Sequence, residues 1–310
     1  MLERSYTDLA LRQAMALLAI DSPTGFTEKA AQWVQDAFAA LGYDARRTVK
    51  GGVLIDLGGM RAENGETENV RVCARDGRIY EGTLQLINAS VHVNGAYGDT
   101  KRSWDSTEVL LDEDVKSAED VRALGLEVGD IVCFDPRTRL TPSGYLKSRF
   151  LDDKLSVGIL LAFAQYLKDT GIVPERRTYV HVTVYEEVGH GGAASVPAGV
   201  TQAISVDMGC VGEGLTCTER QVSLCAKDSG GPYSYEVLGK LIAAAKREGA
   251  DYAVDVYPHY GSDVEATLSA GHDLRHGLIG AGVYASHGYE RSHADGVHNT
   301  LLVLKGYLGV

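Results

Sequence analysis

The sequence predicts an α/β fold interrupted by a small, mostly β insert. Three observations carry this expectation. A β-branched run from Thr178 to Tyr185 has the length of a strand and ends on Glu186-Glu187 before a glycine-rich turn. On both sides of it, stretches with apolar residues at helical spacing alternate with short apolar runs, the texture of a sheet with helices packed on it. Between about residue 60 and residue 145 that texture gives way to short β-like runs separated by Gly, Asn and Asp. We therefore expect one unit formed by residues 1–58 and 147–310 and an insert formed by residues 59–146.

Composition narrows the function classes. The chain has 310 residues, 45% hydrophobic and 23% charged, with no low-complexity tract, which excludes a disordered chain. Its net charge of −12, from 30 basic and 42 acidic residues, repels phosphate backbones and argues against nucleic acid as a partner. Small molecules or peptides fit better. No run of about 18 apolar residues exists to span a bilayer, and Met1-Leu-Glu-Arg-Ser-Tyr-Thr-Asp8 is too polar for a secretory leader, so no membrane contact and a cytoplasmic location are expected. The five cysteines, Cys73, Cys133, Cys210, Cys217 and Cys225, contain no C-x-x-C pair and read as small buried hydrophobes.

In chain order, Leu9, Leu11, Ala14, Leu17 and Leu18 recur at helical spacing and stop at Asp21-Ser-Pro-Thr-Gly25. Thr27 opens a second helix through Ala31, Val34, Phe38 and Leu41, with Gly42 as its stop. Tyr43 to Val49 and Gly52 to Gly59 read as strands. Within the insert, Val70-Arg-Val-Cys, Thr83-Leu-Gln-Leu-Ile, Ser90-Val-His-Val and Asp130-Ile-Val-Cys-Phe134 read as strands, and Ser117 to Leu124 as a helix. The Leu126-Glu-Val-Gly-Asp-Ile-Val segment resembles the turn and strand of a small barrel.

After residue 145, Leu155 to Leu167 is an amphipathic helix preceded by Asp152-Asp153. Ala203-Ile-Ser-Val-Asp207 reads as a short strand ending on an acid. Tyr235 to Glu248 is a helix and Gly261-Ser-Asp263 begins another. Gly277 to Ser286 is a strand leading into His287, and Thr300 to Leu308 closes the chain as a helix.

Four places share one design: Asp152-Asp153 before a helix, and Glu186-Glu187, Asp207 and His287 after strands. In an open α/β sheet the crevice lies beyond the carboxyl ends of the strands, so such side chains face a ligand. Adjacent glutamates point in different directions there, so one can bind a metal while the other carries protons. Carboxylates with an imidazole suit divalent ions such as zinc, cobalt or manganese.

The residues also carry a resemblance. Asp21-Ser-Pro-Thr-Gly25, Leu151-Asp-Asp-Lys154, Glu186-Glu-Val-Gly189, Ser205-Val-Asp-Met208, Gly261-Ser-Asp263 and Ala285-Ser-His-Gly-Tyr-Glu290 resemble, in order, the signatures of the co-catalytic metallo-aminopeptidases that assemble into tetrahedral particles. Members are also labelled glutamyl aminopeptidase or endoglucanase. The resemblance implies a zinc-exopeptidase-like mixed sheet with flanking helices in the larger unit and a small β-barrel insert used in oligomer assembly or substrate access. It implies two divalent ions, zinc or cobalt, with Asp152 bridging them, Glu187 and His287 on the first and Asp207 on the second. Glu186 is the implied general base, taking a proton from the attacking water and returning it to the leaving amine. Asp153 is the implied support behind the ligands. Short peptides as substrates and a homo-oligomer, a dodecamer, follow from the same resemblance.

One feature departs from it. The family places a further histidine ligand shortly after the segment resembling Gly52-Val-Leu-Ile, and this sequence has no histidine before His92. At Asp56-Leu-Gly-Gly-Met60 the chain passes directly into the insert. Either the second metal site lacks a ligand or the natural polypeptide carries a segment that this sequence lacks. Among the other histidines, His181 reads as a core residue, His190 as a turn residue within reach of substrate, and His293 as the substitute for His287. His259, His272, His276 and His298 carry no signal, and Gly191-Gly192 reads as a tight turn.

The leading expectation is a metal-dependent aminopeptidase, a hydrolase. The same water activation would serve an amidase or deacylase acting on a specialised dipeptide or N-acyl amino acid. An incomplete metal site would leave a non-catalytic scaffold.

Overall fold

The computed structural model describes residues 2–50 and 62–310. In chain order the elements are α1 (Arg4–Leu18), α2 (Glu28–Ala40), α3 (Ala62–Gly65), β1 (Asn69–Cys73), β2 (Ile79–Leu86), β3 (Thr107–Leu111), α4 (Ala118–Ala123), β4 (Ile131–Phe134), β5 (Arg139–Leu140) and β6 (Tyr145–Ser148). They continue with α5 (Leu151–Thr170), β7 (Gln202–Val211), β8 (Val222–Lys227), α6 (Tyr235–Glu248), β9 (Tyr252–Val256), α7 (Asp263–Ser269), β10 (Arg275–Tyr284), β11 (Glu290–His293) and α8 (Ala294–Leu308). Two compact units result. One takes in Met1–Gly58 with Arg137–Val310 and the other Gly59–Pro136.

The larger unit is built on a seven-stranded mixed sheet running β5-β6-β11-β10-β8-β9, with β7 paired to β10. β7 and β10 run parallel over ten residue pairs, from Gln202 opposite Arg275 to Val211 opposite Tyr284. Strand alternation sends successive side chains to opposite faces. On β8 and β10, Leu224 and Ile279 therefore enter the cluster beneath α1, α5, α6 and α8, whereas Cys225 and Leu278 enter a second cluster with Tyr233, Tyr257 and Val264. Helix α1 buries Thr7, Ala10, Leu11, Ala14, Leu17 and Leu18, a stripe at 3.6-residue spacing that packs on α5. Each fully buried leucine contributes about 1.5–3 kcal/mol. Helix α2 covers α1 and α5 from outside, with Val34 and Phe38 against Leu17, Val157 and Leu161.

The smaller unit contains a four-stranded antiparallel sheet in the order β3-β2-β1-β4. Among the described residues this sheet is open, with β3 and β4 at its edges, and no barrel closure is seen. Residues 137–146, including β5, lie in the larger unit.

Four sequence expectations are corrected. Thr178 to Tyr185 forms no strand: it has no ladder partner among the described residues, although Val182 and Val184 stay buried with the period of two that suggested one. Tyr43 to Val49 is likewise irregular. Ser90-Val-His-Val forms turns with Val91 and Val93 largely exposed, because β-branched propensity without a neighbouring strand makes no ladder. Asp207 lies in the middle of β7, opposite Gly280, rather than at a strand end. The expected strand at Gly52 to Gly59 lies outside the described residues. No helix among the described residues is long and apolar enough to cross a membrane.

Candidate active site

Helix α5 presents its acids from an irregular first turn. Asp152 and Asp153 have non-helical backbone angles, so helical geometry begins at Lys154. Asp153 accepts the Ser156 amide at 3.4 Å, satisfying one of the first-turn donors. From the opposite direction comes the loop after β10, where His287 takes a left-handed backbone (φ 62°). Its Nε2 lies 3.4 Å from Asp152 Oδ2 and 3.5 Å from Glu187 Oε2.

What fixes the Glu186-Glu187 turn, in the absence of a ladder, is α7. Asp263 at its first position accepts hydrogen bonds from the Thr183 hydroxyl and the Gly192 amide, tying the two ends of the turn together. Gly192 is required by this contact: a Cβ there would meet the Asp263 carbonyl oxygen at 2.4 Å and Thr267 Oγ1 at 2.7 Å. The glycine pair is thus a packing surface for α7, in keeping with the tight turn expected of it.

The acids form two groups with one member in common. Asp152, Glu187 and His287 bring ligand atoms within 4.8 Å of one another, and so do Asp152, Asp153 and Asp207. The first group fits a divalent ion by spacing and by donor type. Two ligands each about 2.1 Å from a tetrahedral ion stand about 3.4 Å apart, and imidazole with carboxylate is a donor set that zinc accepts. The second group is all oxygen. Burial, followed by the neighbouring charge of Asp152, raises Asp207 from 3.8 to about 7. Burial, then Asp207 and Asp152, pushes Asp153 well up too. Buried acids that resist ionising together are suited to a shared cation.

Behind these groups stands a residue whose part the sequence did not reveal. Glu290, 1% exposed, accepts the Asp152 amide at 3.0 Å on one carboxylate oxygen and the His287 amide at 2.9 Å on the other. Burial and then Asp152 raise it from 4.5 to about 8. Tyr260, also unmarked by any sequence signal, is half-buried beside Asp207 and donates to the Met208 carbonyl at 3.1 Å.

Asp152, Glu186, Glu187, Asp207 and His287 line one cavity of about 870 Å³. Asp153 is absent from that lining. The remaining histidines sort by partner. His293 caps α8, accepting the Asp295 amide on Nδ1 at 3.0 Å and reaching the Ser143 carbonyl through Nε2 at 2.8 Å, so it does not substitute for His287. His190 stacks on Tyr185 with ring centroids 5.1 Å apart. Burial holds the His181 pKa down.

The model of the M42 glutamyl aminopeptidase family matches residues 50–302. The chain belongs to this family. It is a peptide hydrolase of the aminopeptidase type. A relative from Bacillus subtilis (strain 168), named "Putative aminopeptidase YhfE", is 34% identical, over 94% of this chain and 95% of its own length. That alignment spans 328 residues, more than the 310 of this chain, so the relative carries residues with no counterpart here. Among solved structures, aminopeptidase APDkam598 from the archaeon Desulfurococcus kamchatkensis shares the fold at a TM-score of 0.82 and 20% identity, covering 98% of this chain and 95% of its own. The Pyrococcus horikoshii TET1 peptidase does so at 0.80 and 16%, covering 96% and 98%. Metal dependence accords with the M42 family and with the two acidic groups.

Proposed function

We propose that this M42 chain removes N-terminal residues from short peptides, using two divalent ions, zinc or cobalt, at Asp152, Glu187, Asp207 and His287. The observation that carries this reading is the sharing of Asp152 between the two groups of potential ligands. Asp152 would bridge the ions, Glu187 and His287 would hold the first, and Asp207 the second. Ions held there would polarise the scissile carbonyl and lower the pKa of the attacking water. Glu186 lines the same cavity and belongs to neither group, which suits it to accept the proton of that water and deliver it to the leaving amine. Asp153 and Glu290 hold the ligands in position from behind.

The second ion is the weaker of the two in this 310-residue chain, since its potential ligands among the described residues are all carboxylates. We place a further segment of the natural polypeptide near Leu57-Gly58, outside the described residues, where the sequence passes directly into the insert without the family's additional histidine. The intact mass of the native protein tests that. The five free cysteines support a cytoplasmic location. For the smaller unit we propose a role in homo-oligomer assembly, supported by the exposed Ile79, Val91, Val93 and Trp104 and by the Pyrococcus horikoshii neighbour, whose assembly into a tetrahedron or a large octahedral shell is described. A dodecamer is the expected particle.

The test is a pair of variants. Glu186→Gln lowers kcat by about 10²–10⁴ while metal content is retained. Glu187→Gln lowers metal content itself, measured by elemental analysis after dialysis. Identical behaviour of the two would refute the division of roles.

A further inference from the structure

The cavity extends past the paired acids to one face of α7, where Glu265, Ala266 and Ser269 line it together with Ser229 and Gly261. Ala266 and Ser269 are small and leave room, and Glu265 is the acidic side chain of that end, which His259 also lines. It is placed there by a sterically specific contact. An ideal Cβ on Gly230 would lie 2.2 and 2.3 Å from the two Glu265 carboxylate oxygens, so only glycine lets the carboxylate settle over this turn.

The partner of Glu265 is Asp228, fully buried and already committed. Asp228 accepts the Gly230 amide at 2.9 Å and the Tyr233 hydroxyl at 2.6 Å. Beside it Glu265 is raised from 4.5 to about 7 by burial and by Asp228. The cation facing this pair is Lys227, whose ammonium is held at 2.9 Å on the Asp228 carbonyl.

Of the six acids lining the cavity, Asp152, Glu186, Glu187 and Asp207 belong to the reaction centre, and Asp263 is occupied by Thr183 and Gly192. Glu265 remains. Among the described residues no lysine or arginine lines the cavity. Ser262, 7% exposed, adds a hydroxyl on the same wall, beside Asp207.

We infer that Glu265 selects peptides whose N-terminal residue is lysine or arginine, its carboxylate meeting the basic side chain at the α7 end of the cavity. An acidic N-terminal side chain would meet like charge there, so the preference runs opposite to the glutamyl label of the family. The entering cation also removes the reason for Glu265 to hold a proton beside Asp228. This inference rests on the aminopeptidase reading above.

Steady-state kinetics on lysyl, norleucyl, leucyl and glutamyl anilides test it, the readout being the ratio of kcat/KM for lysyl over norleucyl substrate, which differ by the charge. The wild-type protein should give a ratio of about ten or more, with the glutamyl substrate poorest. Glu265→Gln should bring the ratio close to one, and Glu265→Lys should invert the order of lysyl and glutamyl substrates. Gly230→Ala, which displaces the carboxylate without removing it, should also lower the ratio. A wild-type ratio near one, or a ratio unchanged in Glu265→Gln, would overturn the inference while leaving the aminopeptidase reading intact. Failure to cleave any of the anilides would overturn both.

Discussion

Glu290 accepts the backbone amide of His287 at 2.9 Å, and its other carboxylate oxygen accepts that of Asp152, a residue 138 positions away in the chain. One buried side chain thus ties together the backbones of two potential metal ligands. Glu290→Gln keeps one acceptor and turns an NH₂ toward the other amide, setting donor against donor. Metal affinity should fall by about 10–100-fold, the range for groups that orient ligands. Titration against a competing chelator measures it, and unchanged affinity would remove Glu290 from this role.

A second expectation concerns the turn that carries Glu186 and Glu187. Because Asp263 and Thr267 leave no space for a Cβ on Gly192, Gly192→Ala must push α7 away from the turn. Overpacking of this kind costs about 1–3 kcal/mol. Activity should fall more steeply than stability, since the displaced turn holds two of the site's carboxylates. Urea unfolding and kcat/KM on the same preparation separate the two effects. A variant with native stability and native activity would show that the turn does not depend on α7.

These contacts explain what could be read from the residues alone. Asp152, Glu187 and His287 were legible because short local patterns mark them, and the structure brings them together as one group. The helices were legible because their buried stripes are local: α6 spans Tyr235–Glu248 as its periodicity predicts. What escaped is what depends on distant backbone. Glu290 acts on amides, which no residue pattern displays. The run from Thr178 to Tyr185 has the composition and the alternating burial of a strand, yet strand formation needs a partner, and none is present among the described residues. Asp207 sits mid-strand because β7 and β10 stay paired beyond the acid, a pairing set by β10 some seventy residues later.

The last expectation follows from the buried acids of the metal-free protein. Asp207 is raised from 3.8 to about 7 and Glu290 from 4.5 to about 8, in both cases chiefly by burial. Folded protein therefore binds these protons more tightly than unfolded protein does. Their contribution to stability is fully present below the unfolded values, at about pH 4, and is lost as the pH rises toward about 8. Metal-free protein should accordingly show a higher urea midpoint at about pH 5.5 than at about pH 8. A divalent ion takes the place of the protons, binding the ionised carboxylates that unfolded chain does not assemble. Added zinc or cobalt should then raise the midpoint more at the higher pH, by an increment that grows with ion concentration. Equal stabilisation at both pH values would mean that these carboxylates do not exchange protons for metal.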